Sequence, residues 1–159
     1  MNVLVTGGAG FIGSNLVRRL VERGDTVRVL DDLSTGLSDN VDGRADLVEG
    51  DVADQDIVRE VMAGVKVVFH QAAAGSVARS VEHPLVTDRV NVHGTLTVLK
   101  TALDVGVRRV VCASSSSVYG GTAALPSAET SLPMPRSPYA VSKLAGEHYC
   151  RVFAQLFGL

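Results

Sequence analysis

Two side chains near the end of the sequence, Tyr139 and Lys143, stand four residues apart and would share one face of a helix. A phenol titrates near ~10 and is a poor base at neutral pH. An ammonium group beside it favours the phenolate, so the pair can work as a tuned acid and base. The same spacing also fits a partly buried tyrosine beside a surface lysine. Four consecutive serines, residues 114–117, offer hydroxyls for a substrate oxygen, and read equally as a polar turn. Near the start, Gly7-Gly8-Ala9-Gly10-Phe11-Ile12-Gly13 fits G-x-G-x-x-G at 8, 10 and 13, and G-x-x-G-x-x-G at 7, 10 and 13. Such glycines let the backbone turn tightly and approach a pyrophosphate, with a tight turn and no ligand as the alternative.

These residues need elements to hold them. Residues 3–5 read as a strand ended by Thr6-Gly7-Gly8, and apolar residues from Phe11 to Val21 then recur at helical spacing up to a stop at Gly24. Further strands are expected at 26–30, weakly at 46–49, at 65–70 and at 107–113, the last buried on both faces by its composition. Asp54 is expected to cap a short helix to Ala63. Residues 31–43, the stretch from 71 to Pro84, and residues 114–136 read as loops, and a long helix is expected over 85–105, ended by Gly106. Ser137 and Pro138 open a last helix to Phe157. Strands alternating with helices in this way predict one doubly wound α/β domain, a mainly parallel sheet over residues 1–159.

In that fold the glycine loop lies between a strand and a helix, whose N-terminus would bind the phosphates. Asp31 ends the second strand, where a carboxylate accepts from adenosine ribose hydroxyls and repels a 2′-phosphate, favouring NAD over NADP. Asp32 reads as a solvated loop acid or as a substitute in that role. Asp51 is placed to reach the adenine or to cap its own loop.

Several classes are excluded. With 46% hydrophobic residues the chain can build a core, and a net charge of −2 gives no electrostatic case for nucleic acid. No apolar run approaches the roughly 18 residues of a membrane span. The chain opens directly on a strand, without the pattern of a signal peptide, so a cytoplasmic protein is expected. Cys112 and Cys150 are too few for a disulfide framework and read as buried thiols. The four histidines lack metal-ligand spacing, and His70 reads as structural. No G-x-S-x-G elbow supports a serine hydrolase.

Taken together, VTGGAGFIGSNL (5–16), DDLSTG (31–36), GDVAD (50–54), HQAA (70–73), NVHGT (91–95), SSSSVYG (114–120) and SPYAVSKLAGE (137–147) resemble the extended short-chain dehydrogenase/reductase family, in its NAD-dependent epimerase/dehydratase branch. The resemblance implies a Rossmann fold with pyrophosphate on Gly7, Gly10, Phe11, Ile12 and Gly13. It further implies ribose on Asp31, adenine on Asp51 and Val52, and nicotinamide ribose beside Gln71, Ala72 and Ala73, with Asn91 in support. Ser115, Tyr139 and Lys143 take the family's catalytic places, and Tyr139 and Lys143 also face the cofactor. Dehydratases of the branch resemble T-D-E-V-Y-G where this chain has Ser115-Ser116-Ser117-Val118-Tyr119-Gly120, without the acid pair. The serine-rich form looks most like epimerases that invert C4 of a UDP-hexose through a 4-keto intermediate, as in polysaccharide biosynthesis. In such enzymes the tyrosine removes the 4-OH proton while hydride passes to NAD and returns to the other face.

The resemblance also implies a homodimer through helices 85–105 and 138–157. Family members run to roughly twice this length, adding a sixth strand and a domain that grips the nucleotide-sugar, so this chain alone is expected to be inactive. A stand-alone NAD-binding or dimerisation module, or a dehydratase, decarboxylase or reductase of the same scaffold, are the alternatives.

Overall fold

The computed structural model describes residues 1–121 and 126–159. Its elements follow one another as β1 (Asn2–Thr6), α1 (Phe11–Glu22), β2 (Thr26–Asp31), β3 (Asp46–Glu49), α2 (Gln55–Val61) and β4 (Val67–His70). Then come α3 (Val77–Glu82), α4 (Pro84–Asp88), a π-helical turn over Arg89–His93, α5 (Gly94–Val105), β5 (Arg109–Cys112) and α6 (Pro138–Phe157). The strands form one parallel sheet in the order β3-β2-β1-β4-β5. The chain builds outward from β1 to β3 and then crosses to β4 on the other side of β1. That reversal opens a crevice at the carboxyl ends of β1 and β4, where sheets of this kind bind ligands.

Alternation along the strands sorts the core into two layers. Leu4, Leu30 and Val68 face Val58, Val61, Val98 and Ala102 of α2 and α5. Val3, Val5, Val27 and Val29 face Val17 and Leu20 of α1. One row of the register runs across the carboxyl end of the sheet, from Leu30 to Thr6, His70 and Cys112. The helices start where short polar side chains can satisfy free N–H groups: Asp54 accepts from Asp56 and Ile57, Ser76 from Arg79, and Ser137 from Ala140. Gly106 and Gly158 close α5 and α6 in the left-handed region.

The sheet and its helices agree with the sequence reading, with local corrections. The stretch from 71 to 84 is not all loop, because Ser76 caps the six-residue helix α3. The helix expected from 85 begins at Pro84 and passes through the π turn into α5 without leaving helical backbone. β5 is not buried on both faces: it is the edge of the sheet, and Val111 is 41% exposed. Cys112 and Cys150 are half-buried rather than buried. The loop expected over 114–136 contains a 3₁₀ turn at Ser116–Tyr119, and its residues 122–125 lie outside the described residues.

Candidate functional site

The turn from β1 into α1 is made by backbone packed on backbone. Gly7 has φ +70°, and a Cβ there would stand 2.5 Å from the amide nitrogen of Ala72. A Cβ on Gly13 would stand 2.1 Å from the Gly7 carbonyl oxygen. Only glycine permits both approaches, and they bring the expected pyrophosphate loop against residues 71–73 after β4. Gly10 is the N-cap of α1, and no side chain caps this end. Phe11 and Ile12 are 86% and 66% exposed, so the first N–H groups of the helix border open space.

Asp31 is buried at the end of β2 and accepts from the Ala9 N–H at 2.9 Å and the Leu33 N–H at 3.0 Å. A carboxylate has about four lone-pair sites, so two remain for a ligand. Leu33 makes its contact at the cost of a left-handed backbone, φ +55°, which leucine rarely adopts. Asp32 is exposed and turns its own loop by accepting from the Ser34 N–H and hydroxyl at 3.0 and 2.6 Å. Asp51 takes the loop-capping role, accepting from Ala53 N–H at 2.8 Å, and also pairs with Arg89 at 2.6 Å. Val52 is buried, and its Cγ1 would stand 2.9 Å from a Cβ placed on Gly94.

A buried string of hydrogen bonds ties the two halves of the site together. Thr6 Oγ1 and His70 Nδ1 are 2.7 Å apart, and His70 Nε2 and Thr95 Oγ1 are 2.9 Å apart. Thr95 donates its hydroxyl to the Asn91 carbonyl at 2.6 Å, so it accepts from Nε2–H of the imidazole, leaving Nδ1 to accept from Thr6. The Ala72 N–H donates to Thr6 Oγ1 at 3.3 Å. Burial, and after it the charge of Lys143, hold His70 down at about 3, so it is neutral. Asn91 is buried and committed to protein partners: its Oδ1 accepts from Ala74 N–H, and its Nδ2 donates to Ser142 Oγ at 2.9 Å. Ser142 in turn donates to the Tyr139 carbonyl at 2.7 Å. Asn91 thus fixes the start of α6 against the loop after β4 rather than offering its amide to a ligand.

The first turn of α6 carries Tyr139 and Lys143. The Lys143 ammonium lies 5.9 Å from the centre of the Tyr139 ring and donates to the Ala113 carbonyl at 3.1 Å. Burial pulls this ammonium below the usual lysine range, with Cys112 working against that shift. Ser115, two residues past Ala113, caps the 3₁₀ turn, accepting from Ser117 N–H at 3.2 Å and donating to Ser117 Oγ at 3.1 Å. Ser114 donates to Glu147 of α6. Gly120 closes the turn with φ +66°, where a Cβ would stand 2.0 Å from the Met134 carbonyl. Tyr139, Lys143 and the serine turn therefore meet at the carboxyl end of β5, one strand beyond His70.

The sequence reading missed Thr6, Thr95 and Ser142 as holders of the site and Arg89 as the partner of Asp51. Thr95 and Asn91 lie four apart on one helical stretch, a signal that becomes meaningful only once His70 is known to face them. Among the described residues no group of three or more His, Cys, Asp or Glu could hold a metal ion. No helix among the described residues is long and apolar enough to cross a membrane.

A parallel sheet with a glycine turn, a buried acid at the end of the second strand and a Tyr/Lys helix defines a nucleotide-cofactor fold, and the chain belongs to the NAD dependent epimerase/dehydratase family, whose model matches residues 3–159. Among curated relatives, the UDP-glucose 4-epimerase of Mycolicibacterium smegmatis is 44% identical over 167 residues, covering 100% of this chain and 53% of that protein. Among solved structures, the UDP-glucose 4-epimerase of Thermotoga maritima with UDP-glucose superposes with TM-score 0.97 at 38% identity, covering 100% of this chain and 53% of that one. The UDP-glucose 4-epimerase of Thermus thermophilus in complex with NAD gives TM-score 0.92 at 42% identity, covering 100% and 52%. The chain spans about half the length of the curated relatives it matches.

Proposed function

We propose that residues 1–159 form the NAD-binding and acid–base part of a UDP-hexose 4-epimerase. The observation that carries this reading is the Lys143 ammonium held between the Tyr139 ring and the Ala113 carbonyl, at the same sheet end as the glycine turn. The residues fit a dinucleotide, because the close approaches at Gly7 and Gly13 leave the uncapped α1 N-terminus open to a pyrophosphate. Gly7, Gly10, Phe11, Ile12 and Gly13 would hold that group. Asp31 would take the ribose hydroxyls, with Asp32 and Asp51 at the rim, Val52 below the adenine, and Gln71, Ala72 and Ala73 beside the second ribose.

When bound, NAD supplies a site that takes up and returns a hydride at the sugar's C4. Tyr139, as phenolate, accepts the proton of the 4-hydroxyl and later returns it to the 4-oxygen of the inverted sugar. Lys143 stabilises the phenolate through its charge, and Ser115 hydrogen-bonds the 4-oxygen so that both steps occur at one place. Leu85 and Val86 on α4 and Val141, Val152 and Leu156 on α6 form an exposed apolar surface, which supports a homodimer through these helices. The protein would act in the cytoplasm, where nucleotide-sugars are available.

The test is interconversion of UDP-glucose and UDP-galactose, with NAD, by the chain completed with the C-terminal half of a relative such as the Mycolicibacterium smegmatis enzyme. Turnover that is lost in Tyr139→Phe with NAD binding intact supports the reading. NAD binding without turnover on UDP-hexoses would favour a binding module.

A further inference from the structure

Behind Lys143, β5 and α6 enclose a cleft of about 260 Å³ whose lining includes His70, Cys112, Lys143, Glu147 and Cys150. Cys150 lies seven residues after Lys143, two helical turns on and on the same face. Cys112 ends β5, next to His70 in the sheet register. The two are the chain's only cysteines, both are free and half-buried, and both line this cleft, close enough for each to perturb the other.

We propose that Cys112 and Cys150 are a redox-active dithiol that closes to a disulfide under a hydroperoxide and pins α6 to β5 behind Lys143. The step balances with the peroxide as oxidant. The Cys150 thiolate attacks one peroxide oxygen, breaking the O–O bond, and becomes a sulfenic acid while hydroxide leaves and takes up the proton Cys150 had released. The Cys112 sulfur then attacks the sulfenic sulfur, the S–S bond forms, and the S–OH bond breaks to give a second water with the Cys112 proton. Two thiols are oxidised by two electrons and one peroxide is reduced to two waters.

The environment assigns the roles. The neighbouring Cys112 draws the Cys150 thiol below its ordinary range, and on the proposed order Cys150 attacks first. The neighbouring Cys150 and burial push the Cys112 thiol up, so on that order it gives up its proton in the second step. Lys143 lines the same cleft as both cysteines. Closure therefore changes the surroundings of the lysine by fixing the helix that carries the ammonium. Its effect on turnover rests on the epimerase reading, while the thiol chemistry does not.

The purified protein should be titrated with hydrogen peroxide and its free thiols counted after denaturation. The expected result is a fall from two thiols per chain to none, with the loss of two hydrogens in intact mass, no cross-linked chains on a non-reducing gel, and full reversal by dithiothreitol. In Cys112→Ser, Cys150 is expected to stop at a sulfenic acid that dimedone traps. Two unreacted thiols, over-oxidation of one cysteine, or links between chains would overturn the proposal. Epimerase turnover is expected to fall severalfold on oxidation and to return on reduction. A disulfide with unchanged turnover would overturn the coupling to Lys143. If the chain completed with a relative's C-terminal half never turns over UDP-hexoses when reduced, that would instead count against the epimerase reading, and the thiol count would stand by itself.

Discussion

The turn from β1 into α1 and the corner between β5 and α6 lie at the same end of the sheet and are held by different materials. At the first, backbone rests on backbone: Gly13 against the Gly7 carbonyl, Gly7 against Ala72. At the second, side chains make the contacts: Lys143 to Ala113 and Ser114 to Glu147. The strands differ in the same sense, since β1 is buried from Val3 onward while β5 alternates exposed and half-buried residues. A site made of backbone is tight, and one added carbon disrupts it. A site made of side chains can be retuned by a single protonation or oxidation. The first suits a group that must be held unchanged, and the second suits groups that take part in chemistry.

Substitutions can test that contrast. Tyr139→Phe at the side-chain corner should lower kcat about 10²–10⁴-fold, the worth of a positioned acid–base group, and leave melting temperature and NAD affinity unchanged. Loss of NAD affinity in that variant would mean that the two regions are not separable. Gly13→Ala at the backbone turn should do the reverse. Its Cβ would stand 2.1 Å from a carbonyl oxygen that a tight core cannot move freely, at a cost of about 1–3 kcal/mol in thermal unfolding. NAD affinity should fall with it.

The link between the regions is His70, and pH should reveal it. Its pKa is held at about 3 in the folded chain, against ~6.5 when unfolded, so between those values the unfolded state binds the extra proton. Stability should therefore be complete above pH ~6.5 and fall as pH drops toward 3, with a slope of about 1.4 kcal/mol per pH unit from this group. Subtracting the pH profile of His70→Gln from that of the parent isolates the slope, and equal profiles would remove the link. The smallest effect is expected at the rim. Asp51→Asn breaks the exposed pair with Arg89, worth roughly 0–1 kcal/mol, and the difference in denaturation midpoint should shrink further in high salt.

Much of this arrangement was legible in the sequence, for local reasons. Alternating Val and Leu placed the strands, Asp54 and Ser137-Pro138 marked helix starts, and the glycine spacing marked the turn. The composition of β5 suggested burial on both faces because it resembles that of an interior strand, while the absence of a sixth strand beside it among the described residues makes it the edge of the sheet. α3 has only six residues, too few for a helical period to stand out. The contacts that hold the corner between β5 and α6 to the rest of the site were invisible because they join distant parts of the chain: Thr6 with His70, Asn91 with Ser142. Gly120 ends the SSSSVYG segment, and its necessity there comes from Met134 lying against it.

The string from Ala72 through Thr6, His70 and Thr95 to Asn91 begins at an amide that can only donate and ends at a carbonyl that can only accept. Hydrogen bonds between water molecules in ice can run in either sense, and the crystal keeps that disorder. Here both ends are fixed, so every proton along the string has one position and no mirror arrangement of equal energy exists. The floor of the crevice therefore presents a single dipole pattern rather than an average of two, and an arriving nucleotide meets a field that is already set.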